Sequence, residues 1–451
     1  MKKLFFIFLL LAHNVLFAEY VPGEVIVKMK KSSNLSSYAR VSEIAGSDLK
    51  VMKIDKGKDV LDAVAELAQN PDVEYAQPNY IYHISAVPND TQFAKQWSLK
   101  NTAQTVVWPS ATLQPNNPGN VGDDINAEDA WDLINDCSSV TVAVIDTGIQ
   151  HNHADLSSNM WVGTSPYINH GYDFVGGDYD PLDDNGHGTH VAGIIGAVGN
   201  NGVGIAGVCW HIKIMALKAF DACGSGSTSK IIAAIEFAIN HGVKIINASF
   251  NLYGTADPAL SAEVTSAAQA GILIVAAAGN GCASSPCSPT TTVGYDVDSG
   301  TKTYPCDFTQ ENILCVAAVD QKFQRASFSN YGATSVDVGA PGTNIVSTWP
   351  TGVPSAANCT ACSLGAGCTI NQDYYAESGT SMATPYTVGV AALVWAQNPA
   401  YTYLDVKHAV MSGGSAVTSM SAATVSGKVV NANGALNYIN VPTGLTAVVS
   451  Q

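Results

Sequence analysis

Three short segments carry side chains that together could cleave an acyl bond. The run VTVAVIDTGI delivers Asp146 at its carboxyl end, followed by Gly148 for a sharp turn. DDNGHGTHVAGIIGA sets His187 between two glycines at a helix start, and SGTSMATPYTVGVAALV sets Ser381 at another, behind Gly379. Pro385 is expected in the first turn of that helix, where a missing N–H costs little. A serine hydroxyl is a weak nucleophile at neutral pH and needs an imidazole to take its proton. The imidazole needs a carboxylate to fix its tautomer and stabilise the imidazolium. The oxyanion then formed needs donors, and a helix start at Ser381 offers its backbone N–H and dipole. Asn280, closing the run GILIVAAAGN, offers a side-chain amide as a second donor. Taken singly each has an innocent counterpart: a capping Asp, a loop His, a common Gly-Thr-Ser, a turn-forming Asn before Gly.

Such chemistry demands strand ends and helix starts that open on one cleft. Beyond about residue 135, apolar β-rich runs alternate with helices, the mark of an α/β unit whose mostly parallel sheet is covered on both faces. Strands are predicted over 140–145, 243–248, 271–278 and 313–319. Asp257 and Pro258 read as the cap and first turn of a helix stopped by Gly271, and Ser227 opens another that ends before Gly242. In open α/β sheets, function collects at the carboxyl ends of strands. Segments 281–303 and 352–376, rich in Ser, Thr, Gly and Cys, are expected as surface loops stapled by disulfides. Ahead of this region, a strand over 25–30 and a helix carrying Val60, Leu61, Val64 and Leu67, stopped by Pro71, make a small α+β unit.

Of the 451 residues only 13% are charged, about half the usual share, while apolar content is ordinary, which excludes disorder and coiled coil. The first 83 residues are balanced at ten basic and ten acidic groups. Of 21 basic and 37 acidic residues in all, 11 and 27 therefore lie beyond them. That acidic surface repels phosphate backbones, so no nucleic-acid partner is expected; it is either simply solvated or attracts cations and basic peptides. Met1, Lys2 and Lys3 precede an apolar run to Ala12, with Ala18 where a peptidase could cut, so residues 1–18 read as a signal peptide. The run is too short for a permanent anchor, and the mature protein is expected to be soluble, secreted or periplasmic. All ten cysteines lie beyond residue 136. An even number in an exported chain reads as disulfides, with Cys282–Cys287, Cys306–Cys315 and Cys209–Cys223 suggested by close spacing. A metal site including Cys359, Cys362 and Cys368 is the alternative, although no histidine or second CxxC lies nearby.

In the order Asp, His, Ser, the motifs DTG, HGTH, AAAGN and GTSMATP resemble the subtilisin-like serine endopeptidases, most closely the thermitase group. The resemblance covers nearly the whole chain. It implies a three-layer subtilisin-like fold, with Asp146 orienting His187, His187 as base then acid, Ser381 as nucleophile, and Asn280 with the Ser381 N–H binding the oxyanion. Ser249, Phe250, Asn251, Gly279 and Thr380 fall on its substrate-binding positions; Asn251 stands where the family usually has glycine, which alters the primary specificity pocket. Tyr386 replaces the usual histidine after Pro385, with little effect expected. Residues 19–85, with EVIVKMK and VEYAQPNY, look like the family's inhibitory propeptide, released by a cut near Ser85 or Ala86 from a peptidase domain spanning 86–445. Protein or peptide substrates, the chain's own propeptide as inhibitor, and a monomer are implied. A structural Ca²⁺ is implied at Asp90, Asp155, Asn201 and the carbonyls of Val198, Val203 and Ile205, a donor set that suits calcium; a plain Asn-Gly surface turn is the alternative. Asp173, Asp178 and Asp180 resemble a second calcium site, but Gly176 stands where another carboxylate is expected, and a solvated acidic loop accounts equally well for them. His190, three residues after His187, lacks a metal-binding Glu pattern and reads as packed. A silent scaffold that binds partners through its cysteine-rich loops is the other functional class; the intact Asp146, His187, Ser381 and Asn280 favour the enzyme.

Overall fold

The computed structural model describes residues 20–30, 41–44, 46–55, 57–81, 87–107, 116–167, 170–281, 293–354, 369–370 and 372–438. The expected signal peptide and the expected cut at Ser85 or Ala86 lie outside them. The chain divides into two compact units, Met1–Ile84 and Ser85–Gln451.

In the first unit, β1 (Tyr20–Met29), β2 (Val41–Glu43), β3 (Leu49–Lys53) and β4 (Val73–Tyr80) form an antiparallel sheet ordered β2-β3-β1-β4. Helix α1 (Val60–Ala68) starts at Asp59, whose carboxylate accepts from the N–H groups of Leu61 and Asp62, satisfying two donors that helix geometry leaves unpaired. Its Val60, Ala63 and Leu67, at helical spacing, meet Val25, Val27, Met52 and Val73 in one small core.

In the second unit, in chain order, run α2 (Ala127–Trp131), β5 (Asp136–Asp146), β6 (Gly171–Asp173), α3 (His187–Gly196), β7 (His211–Lys218), α4 (Thr228–Asn240), β8 (Ile245–Ala248) and β9 (Leu252–Tyr253). There follow α5 (Pro258–Gln269), β10 (Leu273–Ala277), β11 (Thr303–Tyr304), β12 (Ile313–Val319), β13 (Val338–Pro341), β14 (Ile345–Thr348), β15 (Val353–Pro354), β16 (Thr369–Ile370) and β17 (Tyr374–Glu377). Last come α6 (Thr380–Gln397), α7 (Tyr403–Gly413), β18 (Ser415–Ala416), β19 (Lys428–Val429) and α8 (Ala432–Leu436). The central sheet is ordered β18-β19-β13-β12-β10-β8-β5-β7-β6 and is parallel apart from the β18–β19 pair. Strands β8, β10 and β12 are buried along their whole length, as helices on both faces require.

Helix α6 is the core's central element. From Thr380 to Trp395 every residue is buried except Ser381, so a helix that is apolar all round opens to the surface at one hydroxyl. Pro385 is the sixth residue of α6 rather than part of its first turn. Its missing N–H leaves the Ser381 carbonyl without the usual donor four residues on, and the Ser249 hydroxyl donates to that oxygen instead (2.9 Å).

Two further expectations change. Part of 352–376 is sheet rather than loop, because β17 pairs antiparallel with β14. Cys209 bonds Cys137 rather than Cys223, because β5 and β7 are sheet neighbours and bring residues 72 apart in sequence to a Cα separation of 5.8 Å. Cys306 pairs with Cys315, and Cys223 is also disulfide-bonded. Cys282, Cys287, Cys359, Cys362 and Cys368 lie outside the described residues.

Candidate active site

Asp146 is the last residue of β5 and His187 the first of α3. His187 Nδ1 lies 2.8 Å from Asp146 Oδ1, which also accepts from the Thr147 N–H (2.7 Å). This close approach needs Gly188: a Cβ there would stand 2.1 Å from the Gly148 carbonyl oxygen. Sequence reading passed over Asp183. Buried, it accepts from the hydroxyls of Thr147 and Thr189 and from the N–H groups of Asn185, Gly186 and Thr189. It thereby pins the start of α3 to the end of β5; its position four residues ahead of His187, at an unsatisfied helix start, was the available signal. Burial opposes charge on His187, but Asp146 outweighs it and, with Glu377 and Asp183 adding to the field, lifts the imidazole to about 9.

Ser381 and Ser249 clasp each other. The Ser381 hydroxyl donates to the Ser249 carbonyl (3.1 Å) rather than to His187, while the Ser249 hydroxyl donates to the Ser381 carbonyl. Asn280 follows β10 with its Oδ1 engaged by the Thr380 N–H (2.9 Å) and hydroxyl (3.0 Å), and the Thr380 hydroxyl accepts from Gly279 N–H (3.2 Å). These bonds assign the amide's orientation and free its Nδ2. A Cβ built on Gly379 would lie 3.6 Å from both Asn280 Nδ2 and Ser381 N, so the two donors border one small volume.

A cleft of about 260 Å³ opens here, lined by Asp146, His187, Phe220, Ser249, Phe250 and Asn251 among others. Phe220 and Phe250 meet at 5.1 Å between ring centroids and give it an apolar wall. Asn251 Nδ2 donates to the Ala277 carbonyl (2.5 Å), strapping the segment after β8 to the end of β10. Glu377, the last residue of β17, is half-buried; burial holds its carboxyl above the usual range, against the pull of His187. Lys218, buried at the end of β7, donates to the carbonyls of Thr147 and Phe220 and to Asp184. His190 is buried, with Nε2 donating to the carbonyls of Ile345 and Tyr375 and burial pushing it down to about 3. Tyr386 is buried against the Ser98 hydroxyl.

Of the expected calcium ligands, Asp90, Asp155 and Asn201 come together. Asn201 Nδ2 donates to Asp155 Oδ1 (2.8 Å), and Asp90 accepts from the N–H groups of Asn200 (2.7 Å) and Asn201 (3.4 Å). Bonds from Val198 N–H to the Asp155 carbonyl, Ile205 N–H to Asp155 Oδ2 and Val203 N–H to Asn201 Oδ1 wrap the same loop around them. Both carboxylates are buried, and no cationic side chain pairs with either among the described residues. Burial lifts Asp155 to about 6, and the neighbouring Asp90 adds to it. No three His, Cys, Asp or Glu side chains converge among the described residues. Two buried carboxylates beside an amide side chain are oxygen-bearing groups of the kind a hard cation takes. The second expected site is less assembled. A Cβ on Gly176 would lie 2.9 Å from Asp173 Oδ2 and 3.3 Å from Asp178 Oδ2, so those two acids flank the glycine, whereas Asp180 turns to His151 Nε2 (2.9 Å).

A family profile described as "Subtilase family" matches residues 138–417, and one described as "Fervidolysin N-terminal prodomain" matches residues 13–79. A thermophilic serine proteinase of Bacillus sp. (strain AK1) is 36% identical over 391 residues, which is 84% of this chain and 79% of that protein. Thermitase of Thermoactinomyces vulgaris is 38% identical over 274 residues, 60% of this chain and 80% of its own length. A solved protease structure from Pseudoalteromonas arctica PAMC 21717 superposes with a TM-score of 0.58 at 25% identity, covering 78% of this chain and 99% of its own.

Proposed function

The chain belongs to the subtilase family and is a subtilisin-like serine protease with a fervidolysin-like prodomain, and from that premise we propose an exported, self-processing endopeptidase with an Asp146–His187–Ser381 triad. Bonding of His187 Nδ1–H to Asp146 leaves Nε2 as the base. Rotation of Ser381 about Cα–Cβ, away from the Ser249 carbonyl, brings its hydroxyl to Nε2; such bonds often form only with substrate bound. Nε2 takes the proton as Oγ bonds the scissile carbonyl carbon, and Asn280 Nδ2 with the Ser381 N–H holds the oxyanion. His187 then protonates the departing amine, leaving an acyl ester on Ser381. Water, losing its proton to His187, cleaves that ester, and the proton returns to Ser381 Oγ.

The observation that carries this reading is the 2.8 Å His187–Asp146 bond on a cleft that is also lined by Ser249, the residue that exchanges hydrogen bonds with Ser381. Ser249, Phe250, Asn251, Gly279 and Thr380 line the path of the substrate backbone in this reading, with the Asn251 strap restricting the side chain admitted beside the nucleophile. The first unit acts as inhibitor until cut near Ser85 or Ala86. Asp90, Asp155 and Asn201, with the carbonyls of Val198, Val203 and Ile205, would hold a structural Ca²⁺, which supplies charge compensation for the buried acids and no chemistry. The mature enzyme is a monomer without a membrane anchor, secreted or periplasmic; among the described residues no helix is long and apolar enough to cross a membrane. To test the reading, wild-type chain is treated with a serine-directed phosphonate and compared with Ser381→Ala. Label at Ser381 and accumulation of uncut precursor in the variant are expected. A wild-type chain that neither labels nor processes itself would sink the proposal.

A further inference from the structure

We propose that His151 and His170 bind a borderline-soft divalent cation of the Zn²⁺ class, with water completing its coordination. The rings come from different elements: His151 from the turn after β5, His170 from the residue preceding β6. Their centroids are 5.0 Å apart with planes inclined by 44°. Two imidazoles sharing a tetrahedral ion at a Zn–N length of about 2.1 Å have ring centres about 5 Å apart.

Each imidazole has one nitrogen already committed. His170 Nδ1 lies 2.9 Å from the Trp161 carbonyl oxygen, which can only accept, so Nδ1 carries the hydrogen and Nε2 keeps its lone pair. His151 Nε2 lies 2.9 Å from Asp180 Oδ1, which likewise takes its hydrogen and leaves Nδ1 bare. A carbonyl or carboxylate behind a histidine, fixing its tautomer, is the usual outer shell of a metal-binding imidazole. The backbone of His170 is in the left-handed region (φ +76°), held there by Ala216 N–H donating to its carbonyl (2.9 Å). Strain of this kind persists where surroundings over-determine it, commonly at functional sites. Nitrogen donors select Zn²⁺, Cu²⁺ or Ni²⁺ over Ca²⁺, which separates this site from the oxygen cluster at Asp155.

The test uses untagged full-length chain carrying Ser381→Ala, so that self-digestion does not consume it, titrated with ZnCl₂ in the presence of excess Ca²⁺. One Zn²⁺ per chain is expected, lost in His151→Gln and in His170→Gln. Asp180→Asn should weaken binding about tenfold or more, and His408→Gln, on the exposed face of α7, should leave it unchanged. Melting curves guard against a misfolded variant: Zn²⁺ should raise the midpoint of the parent and of His408→Gln but not of the two histidine variants. Equal Zn²⁺ uptake by the parent and both histidine variants, or displacement of Zn²⁺ by Ca²⁺, would overturn the proposal.

Discussion

Glu377 bears on the proposed triad without being part of it. Its negative charge, together with those of Asp146 and Asp183, favours the imidazolium of His187, and a general base must be neutral to work. Activity limited by His187 therefore rises with pH through about 9. Glu377→Gln removes one stabilising charge, so the proton leaves at lower pH and the acidic limb of the kcat/KM profile moves down, with the plateau within about twofold of wild type because Asp146 stays in place. An unmoved limb on a neutral peptide substrate would refute this. The same charges shape stability. A histidine lifted from 6.5 to about 9 on folding stabilises the fold fully below pH 6.5, and this contribution is lost as pH rises through 9. Asp146, His187, Ser381 and Asn280 stood out in the sequence as candidates because each sits in a short motif whose glycines mark a strand end or helix start. Asp183 left a local signal, an acid just ahead of the start of α3, whereas Glu377 and Lys218 left none: their roles depend on neighbours brought up by β17 and β7, which no local pattern announces.

At the level of elements, the clasp between Ser249 and α6 compensates for a proline inside a helix. With Pro385 unable to donate, removing the Ser249 hydroxyl orphans a carbonyl, and an unpaired buried polar group costs about 1–3 kcal/mol. Ser249→Ala should therefore destabilise the protein by that amount. Pro385→Ala supplies a backbone N–H four residues beyond Ser381, so in the double variant much of the loss should return. Urea unfolding of the four proteins in a Ser381→Gly background measures the coupling, and simple additivity would refute the compensation. Much of the sheet was legible as well: the strand over 313–319 and the Asp257-capped helix appear where apolar runs and caps put them. The placement of Pro385 and the Cys137–Cys209 bond were not, because helix phase and disulfide partners follow from which strands become neighbours across parallel crossovers. Strand β17 was hidden for a related reason: it pairs with β14 across an insertion whose composition reads as loop.

Across the whole molecule, the acidic excess beyond residue 83 includes two buried carboxylates in one cluster. Asp155, held at about 6 against an ordinary 3.8, favours its protonated form on folding. Without a cation the chain thus gives up roughly 3 kcal/mol as pH rises from about 4 through 6, and an ion bound only by the folded state offsets this by mass action. Chelation of Ca²⁺ should lower the melting temperature, and the gap between loaded and chelated protein should widen from pH 4 to 7. A gap that is absent, or constant with pH, would count against calcium at Asp155. The Cys137–Cys209 bond acts on the same scale, its loop of about 70 residues restricting the unfolded chain by roughly 4 kcal/mol in the chain-entropy account. Asp146, Asp155, His187 and Asn201 all lie between those two cysteines. A peptidase at high concentration is its own most abundant target, and a single nick anywhere between residues 138 and 208 leaves both pieces joined through the Cys137–Cys209 bond. Damage there opens a circle into a line without shedding a fragment, so Asp146, His187 and the buried oxygen cluster stay with Ser381, the proposed nucleophile, after the chain has been cut.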